Sequence, residues 1–226
     1  MSKIQMPSVA GTFYPSDSAQ LSSDITELLQ QVQSDEQQDK AIPAKAIIAP
    51  HAGYIYSGSV AASAYMQLLP LAKTIKKVLV LAPSHRVPFS GLATSGADYF
   101  NTPLGDVMVD KDAVQKALTL PQVQQFDRAF AGEHALEVQL PFLQMVLKDF
   151  HLVPFIVGDA TPKEVAQVLE LLWGGDETLI VISSDLSHFL DYASARKKDL
   201  ATSQAIEMLA PGQIDYHDCL LYTSPS

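Results

Sequence analysis

Unbroken apolar runs alternate along this chain with stretches in which apolar residues return every three or four positions. Leu21, Ile25, Leu28, Leu29 and Val32 keep helical spacing behind Ser16 and Asp17, either of which can cap a helix start. "AKAIIAP" reads as a short buried strand stopped at Pro50, and "SGSVAASAYMQLL" as a helix whose small residues allow close packing. "KKVLVLAPS", "HLVPFIVG" and "TLIVISS" are further apolar strands, and "DVMVD" is a shorter one. "KDAVQKAL", "EHALEVQLPFLQMVLKDF" with a bend at Pro141, "TPKEVAQVLELLW" with Pro162 in its first turn, and "SARKKDLATSQAIEMLA" read as helices. Apolar strands alternating with amphipathic helices need both sheet faces covered. The expectation is an α/β fold, a three-layer αβα sandwich around a largely parallel or mixed sheet.

Length and composition narrow this further. A chain of 226 residues fits one large α/β domain, and 47% apolar against 18% charged residues supports a substantial core. No repeat, low-complexity tract or clear linker divides it. The formal net charge of -10 argues against nucleic acid as a direct partner, since phosphates require clustered Lys and Arg. Cys219 is the single cysteine, so neither an intrachain disulfide nor a Cys-only zinc site can form. The start "MSKIQMPSVAGTFYP" lacks the charge-then-apolar order of a signal peptide, and no apolar run approaches the roughly 20 residues of a membrane span. A soluble cytoplasmic protein is expected.

The histidines carry the chemistry. Of six, His51 follows "AIIAP", His85 follows "VLVLAPS" and His188 follows "LIVISSDLS", each just past the carboxyl end of an expected core strand. Parallel strands deliver those ends to one crevice, where ligands bind in open α/β sheets. Imidazole there suits either metal ligation or proton transfer. His151 opens a strand and reads as structural; His217 lies in a polar segment and reads as exposed.

Two further segments add polar groups. "GEHALEVQLPF" clusters Glu133, His134 and Glu137 at an expected helix start, with the two acids at i, i+4 on one face. His134 or a Glu would polarise a ligand or orient another residue, the plainer alternative being a solvated helix start. "PHAGYIYSG" sets Tyr54, Tyr56 and Ser57 between Gly53 and Gly58, a place for an anion on backbone N–H groups and for a substrate oxygen on a phenol. A simple strand-to-helix turn explains it equally well. "SSDLSHF" lacks the G-x-S-x-G elbow of a serine hydrolase; His188 reads as an acid/base, with Asp185 supporting it or capping the next turn.

Taken in order, "AGTFYPSD", "APHAGYIYSG", "APSHR", "GADYFNTPLGDV", "EHALEVQLPFLQ" and "ISSDLSHF" resemble the Memo family, whose bacterial members are called AmmeMemoRadiSam system protein B. The words span residues 10 to 189. The resemblance implies a fold like that of class III extradiol dioxygenases. It also implies His51 and His85 as metal ligands, His188 at the acid/base position, and a third ligand from a cysteine in a later "CG" word. It implies Fe(II) as the metal, with copper as an alternative; zinc stays open from the histidine donors themselves. Its implied partners are a phosphotyrosine-type peptide or small-molecule ligand in the same pocket and a radical-enzyme system.

The end of the chain departs from the family pattern. Cys219 is followed by Leu220 where the family has glycine, and "LLYTSPS" follows no family logic. The expectation is one Memo-like domain over residues 1–218, with a non-native tail over residues 219–226.

Three functions fit these residues. One is a mononuclear iron redox or dioxygenase-type enzyme, with His188, Asp185 and His134 as catalytic groups and Tyr56, Ser57 and Glu137 contacting substrate. Another is a non-catalytic module binding a phenolic or phosphorylated peptide. The third is a zinc-type hydrolase.

Overall fold

The computed structural model describes residues 2–35, 44–147 and 149–214. His217, Cys219, the domain limit at Asp218 and the expected tail lie outside them.

In chain order the described residues form strands β1 (Ile4–Gln5), β2 (Ala46–Ala49), β3 (Lys77–Pro83), β4 (Leu92–Thr94), β5 (Tyr99–Thr102), β6 (Gly105–Met108), β7 (Val123–Gln125), β8 (His151–Val157) and β9 (Thr178–Ser183). The α-helices are α1 (Ser18–Asp35), α2 (Tyr54–Met66), α3 (Lys111–Ala117), α4 (Gln139–Val146), α5 (Pro162–Leu172) and α6 (Tyr192–Glu207). The main sheet has six strands in the order β2-β9-β3-β8-β4-β7, and a small sheet has the order β1-β5-β6.

The first four strands of the main sheet are mutually parallel, and β4 then pairs antiparallel to β8. The sheet is therefore mixed, with a parallel core. Helices α1, α2 and α4 pack with one another, α3 packs with α5, and the whole is a three-layer α/β sandwich. Strand β3 lies at the centre, buried from Val78 to Pro83 as its apolar run demands.

Strand β2 differs from expectation. It forms an edge of the sheet among the described residues and alternates exposed with buried positions, so Ile48 keeps 44% of its surface while Ile47 and Ala49 are buried.

Three local rules position the site. Asp17 caps α1, accepting from the Gln20 N–H at 2.9 Å. The α1–α2 contact is close because Gly58 has no side chain: a Cβ there would lie 2.8 Å from Leu28 Cδ1. The third concerns Pro141, which does not bend a long helix. Glu133 and His134 have no regular structure, 135–138 are turns, and α4 begins at Gln139 with Pro141 in its first turn, where a missing N–H removes no intrahelical bond. Glu133 and Glu137 consequently share no helical face.

Candidate metal centre

Strands β2, β9 and β3 are adjacent and parallel, so their carboxyl ends open on one edge. Ala49 pairs with Ser183, and Leu81 with Ile182. Pro50 and His51 follow β2, Ser84 and His85 follow β3, and Ser184 and Asp185 follow β9. The segment from Glu133 brings His134 to the same edge.

Three imidazoles meet there. The ring centroids of His51 and His85 are 5.1 Å apart, those of His51 and His134 5.6 Å, and those of His85 and His134 4.8 Å. Each ring offers one nitrogen to a set whose members all lie within 4.8 Å of one another. The Nδ1 nitrogens have neighbours within the protein. His85 Nδ1 lies 2.9 Å from Glu133 Oε1, His134 Nδ1 lies 3.4 Å from the same oxygen, and His51 Nδ1 lies 3.0 Å from Ser183 Oγ. A carboxylate only accepts, so the His85 proton sits on Nδ1 and its Nε2 lone pair is left for a ligand. This all-nitrogen donor set fits a borderline transition metal.

Electrostatics keep the donors available. Burial pushes His51 down to about 4; Asp185 opposes the shift, while His85 and His134 add to it. Burial lowers His134 as well, against the attraction of Glu133. Burial would raise Glu133, but hydrogen bonds from His85 and the Ala135 N–H outweigh it and hold the carboxyl below its usual range. Near neutral pH His51 and His134 are thus uncharged, beside an ionised Glu133.

Asp185 links this cluster to His188. Its Oδ1 accepts the His51 backbone N–H at 2.7 Å, while Oδ2 lies 3.6 Å from His51 Nε2 and 3.4 Å from His188 Nε2. His188 Nδ1 faces the Leu186 carbonyl at 2.8 Å and must donate to it. In the neutral ring the lone pair is therefore on Nε2, the nitrogen nearer Asp185.

The other expected site residues lie elsewhere. Glu137 is buried, its carboxylate accepting from the Ser8 N–H at 2.7 Å, the Val9 N–H at 3.0 Å and Tyr14 Oη at 2.6 Å. Ser57 donates to the Ala52 carbonyl at 3.0 Å, and Tyr56 is 80% exposed. Among the described residues neither makes a hydrogen bond or ring contact with the imidazoles. The first N–H of α2, on Tyr54, is already bonded to the Phe13 carbonyl at 2.8 Å.

Three contributors had no individual reading in the sequence. Phe13, within "AGTFYPSD", places its ring 4.7 Å from that of His134. Ser183 and Gln139 support His51 from behind. A serine closing an apolar strand and a glutamine opening a buried helix are the only local signals.

Residues 5–217 match the family described as Memo-like protein. The chain belongs to that family. A MEMO1 family protein of Aquifex aeolicus is 36% identical over 211 residues, which cover 92% of this chain and 76% of the relative. A MEMO1 family protein of Thermotoga neapolitana is 34% identical over 220 residues, 90% of this chain and 77% of the relative. Human protein MEMO1 is 33% identical over 188 residues, 80% of this chain and 61% of the human protein. This Memo-like chain has the three-layer α/β architecture expected from its alternating strands and helices, and three of its histidines form a potential metal-binding group. No helix among its described residues is long and apolar enough to cross a membrane.

Proposed function

We propose that this Memo-like chain holds one divalent transition metal on the Nε2 atoms of His51, His85 and His134, and that the metal is iron(II) serving oxidative chemistry. The observation that carries the reading is the trio of imidazoles with donor nitrogens within 4.8 Å, the Nδ1 atoms of all three rings lying near Ser183 or Glu133. His134 then fills the ligand place that the resemblance gave to a cysteine.

When bound, iron supplies Lewis acidity and one-electron redox chemistry. The chain's own groups supply the rest. His188 Nε2 takes a proton from a phenolic hydroxyl of the substrate, and Asp185 Oδ2, 3.4 Å away, stabilises the imidazolium that forms. Phe13 shields one side of the His134 ring. A small phenolic molecule or a peptide carrying such a ring is the ligand class, and exposed Tyr56 is the expected ligand contact with a free face.

One observation favours a second reading. Three imidazoles are also a ligand set of hydrolytic zinc, which would lower the pKa of a bound water toward neutrality. Metal analysis after anaerobic purification decides between the two. Near-stoichiometric iron supports the oxidative reading, zinc alone replaces it with the hydrolytic one, and the absence of any transition metal after reconstitution sinks both.

A further inference from the structure

Behind His51 lies a buried polar chain that no expectation included. Ser183 Oγ has three partners: the Ala135 carbonyl at 2.6 Å, Gln139 Nε2 at 2.8 Å and His51 Nδ1 at 3.0 Å. Gln139 Nε2 also reaches the Pro50 carbonyl at 2.9 Å, and Gln139 Oε1 lies 2.8 Å from Tyr65 Oη. Ser183 and Tyr65 are fully buried, Gln139 is 1% exposed and His51 3%.

The hydrogen positions follow by elimination. The Pro50 carbonyl can only accept, so the Gln139 atom facing it must be the NH2 nitrogen. A flipped amide would set two acceptor oxygens 2.9 Å apart. Gln139 therefore donates to Ser183 and accepts from Tyr65. The Ala135 carbonyl can only accept as well, so the single hydroxyl hydrogen of Ser183 goes there. Both Ser183 lone pairs are then acceptors, one for Gln139 and one for His51. A bare Nδ1 on His51 would face a lone pair with no hydrogen between them. The proton of His51 is on Nδ1, and its free lone pair is on Nε2.

We infer that Ser183 and Gln139 are positioning residues that lock His51 in its Nδ1–H tautomer and so aim the Nε2 lone pair into the three-histidine site. The same groups tie together the loop after β2, the end of β9 and the segment carrying His134, because Pro50, Ser183 and Ala135 all bond within this one cluster. Tyr65 anchors the far end, its ring stacked on Phe142 at 5.1 Å. Buried polar chains of this kind are costly when partly satisfied and orienting when complete. The tautomer assignment stands on hydrogen-bond geometry alone; its use in holding metal rests on the function proposed above.

Long-range proton–nitrogen NMR of the 15N-histidine-labelled, metal-free chain at neutral pH tests the lock. The expected result is a protonated Nδ1 and an unprotonated Nε2 for His51, with Ser183→Ala moving both nitrogen shifts toward the values of an exchanging pair. Metal affinity in Ser183→Ala is expected to fall about 10- to 100-fold. Gln139→Met, which keeps the side-chain shape, is expected to shift the tautomer in the same direction. An Nε2–H tautomer in the unaltered chain overturns the inference without any variant needing to fold, and so does an unchanged tautomer in a folded Ser183→Ala. A confirmed lock in a chain that takes up no metal upholds the inference and removes the metal reading instead.

Discussion

Glu133 holds His85 with both of its oxygens: Oε2 accepts the His85 backbone N–H at 2.7 Å and Oε1 accepts Nδ1–H at 2.9 Å. One carboxylate thus fixes both the position and the tautomer of the ring. Glu133→Gln puts an NH2 group against either the His85 backbone N–H or the pair formed by His85 Nδ1–H and the Ala135 N–H, so at least one bond is lost and a donor is left facing a donor. The expected loss is about 1–3 kcal/mol of stability and roughly 10- to 100-fold in metal affinity. Urea unfolding of the metal-free protein and competition with a chelator measure the two separately. An unchanged affinity would show that Glu133 serves folding alone.

Acid sensitivity follows from His51. Its folded pKa of about 4 lies below the ordinary 6.5 because the ring is buried. Between these values the unfolded chain takes up a proton that the folded chain refuses. This contribution to stability is complete above about pH 6.5, falls as the pH drops through that window, and changes no further below about pH 4. His134 is shifted in the same direction for the same reason. In metal-free protein, His51→Asn keeps a donor near Ser183 but has nothing to titrate. Its unfolding free energy should vary less steeply than the parent's across this window, and parallel pH curves would contradict the assignment.

Much of this was legible in the sequence because it followed from strand chemistry. Apolar runs ending in "PH", "PSH" and "SSD" mark strands β2, β3 and β9, and burial on both faces made a parallel core the expectation. What the sequence hid depends on long-range pairing. Strand β4, with β7 parallel to it, runs antiparallel to the four-stranded parallel core, and three residues carry too little pattern to announce it. His134 sits in an irregular segment that looked like a helix, so its convergence with His51 and His85 could not be read from a strand end. Glu137 looked like a companion of Glu133. Without a common helix the two carboxylates serve different neighbours, one the histidines and the other the N-terminal segment.

That second role gives a stability prediction. The Glu137 carboxylate gathers the Ser8 and Val9 N–H groups and the Tyr14 hydroxyl in a buried setting. Burial and this carboxylate together push the Tyr14 phenol well above its ordinary range, so it stays a donor at all working pH values. Glu137→Ala strands three donors and is expected to cost more than about 3 kcal/mol, while Tyr14→Phe removes one charge-assisted bond and costs about 1.5–3 kcal/mol. Metal stoichiometry should survive Tyr14→Phe. Loss of metal in a folded Tyr14→Phe protein would mean that this network reaches the centre.

Gly91 tests the sheet. Its φ is +80°, and a Cβ there would lie 2.2 Å from the Gln122 carbonyl oxygen. Its N–H and carbonyl both bond the segment just after β8, through Asp159 and Gly158. Gly91→Ala forces the backbone apart where β4 begins and is expected to cost more than about 2 kcal/mol. Circular dichroism melting of the variant beside Gly105→Ala separates crowding from conformation. Gly105 has φ +116° but nothing within 4 Å, so it should lose less. Equal losses would show that torsional strain, not contact with Gln122, dominates at Gly91.

The division of labour among the histidines is open to a direct contrast. His134 belongs to the group of donors within 4.8 Å, whereas His188 reaches that group only through Asp185. Removing His134 takes one nitrogen from the coordination set; removing His188 leaves the set whole. His134→Ala is therefore expected to abolish stoichiometric metal binding, and His188→Ala to keep it while slowing any proton-coupled turnover by about 100- to 10,000-fold. Native mass spectrometry after reconstitution reads metal occupancy without needing a substrate. The two replacements also differ in what they disturb: the His134 ring contacts His51, His85 and Phe13, so its loss should also lower the melting temperature. His188 is more open to solvent, with 35% of its side chain exposed, and its replacement should leave melting nearly unchanged. Metal retained in His134→Ala and lost in His188→Ala would reverse the two roles and place the ion between Asp185, His188 and His51.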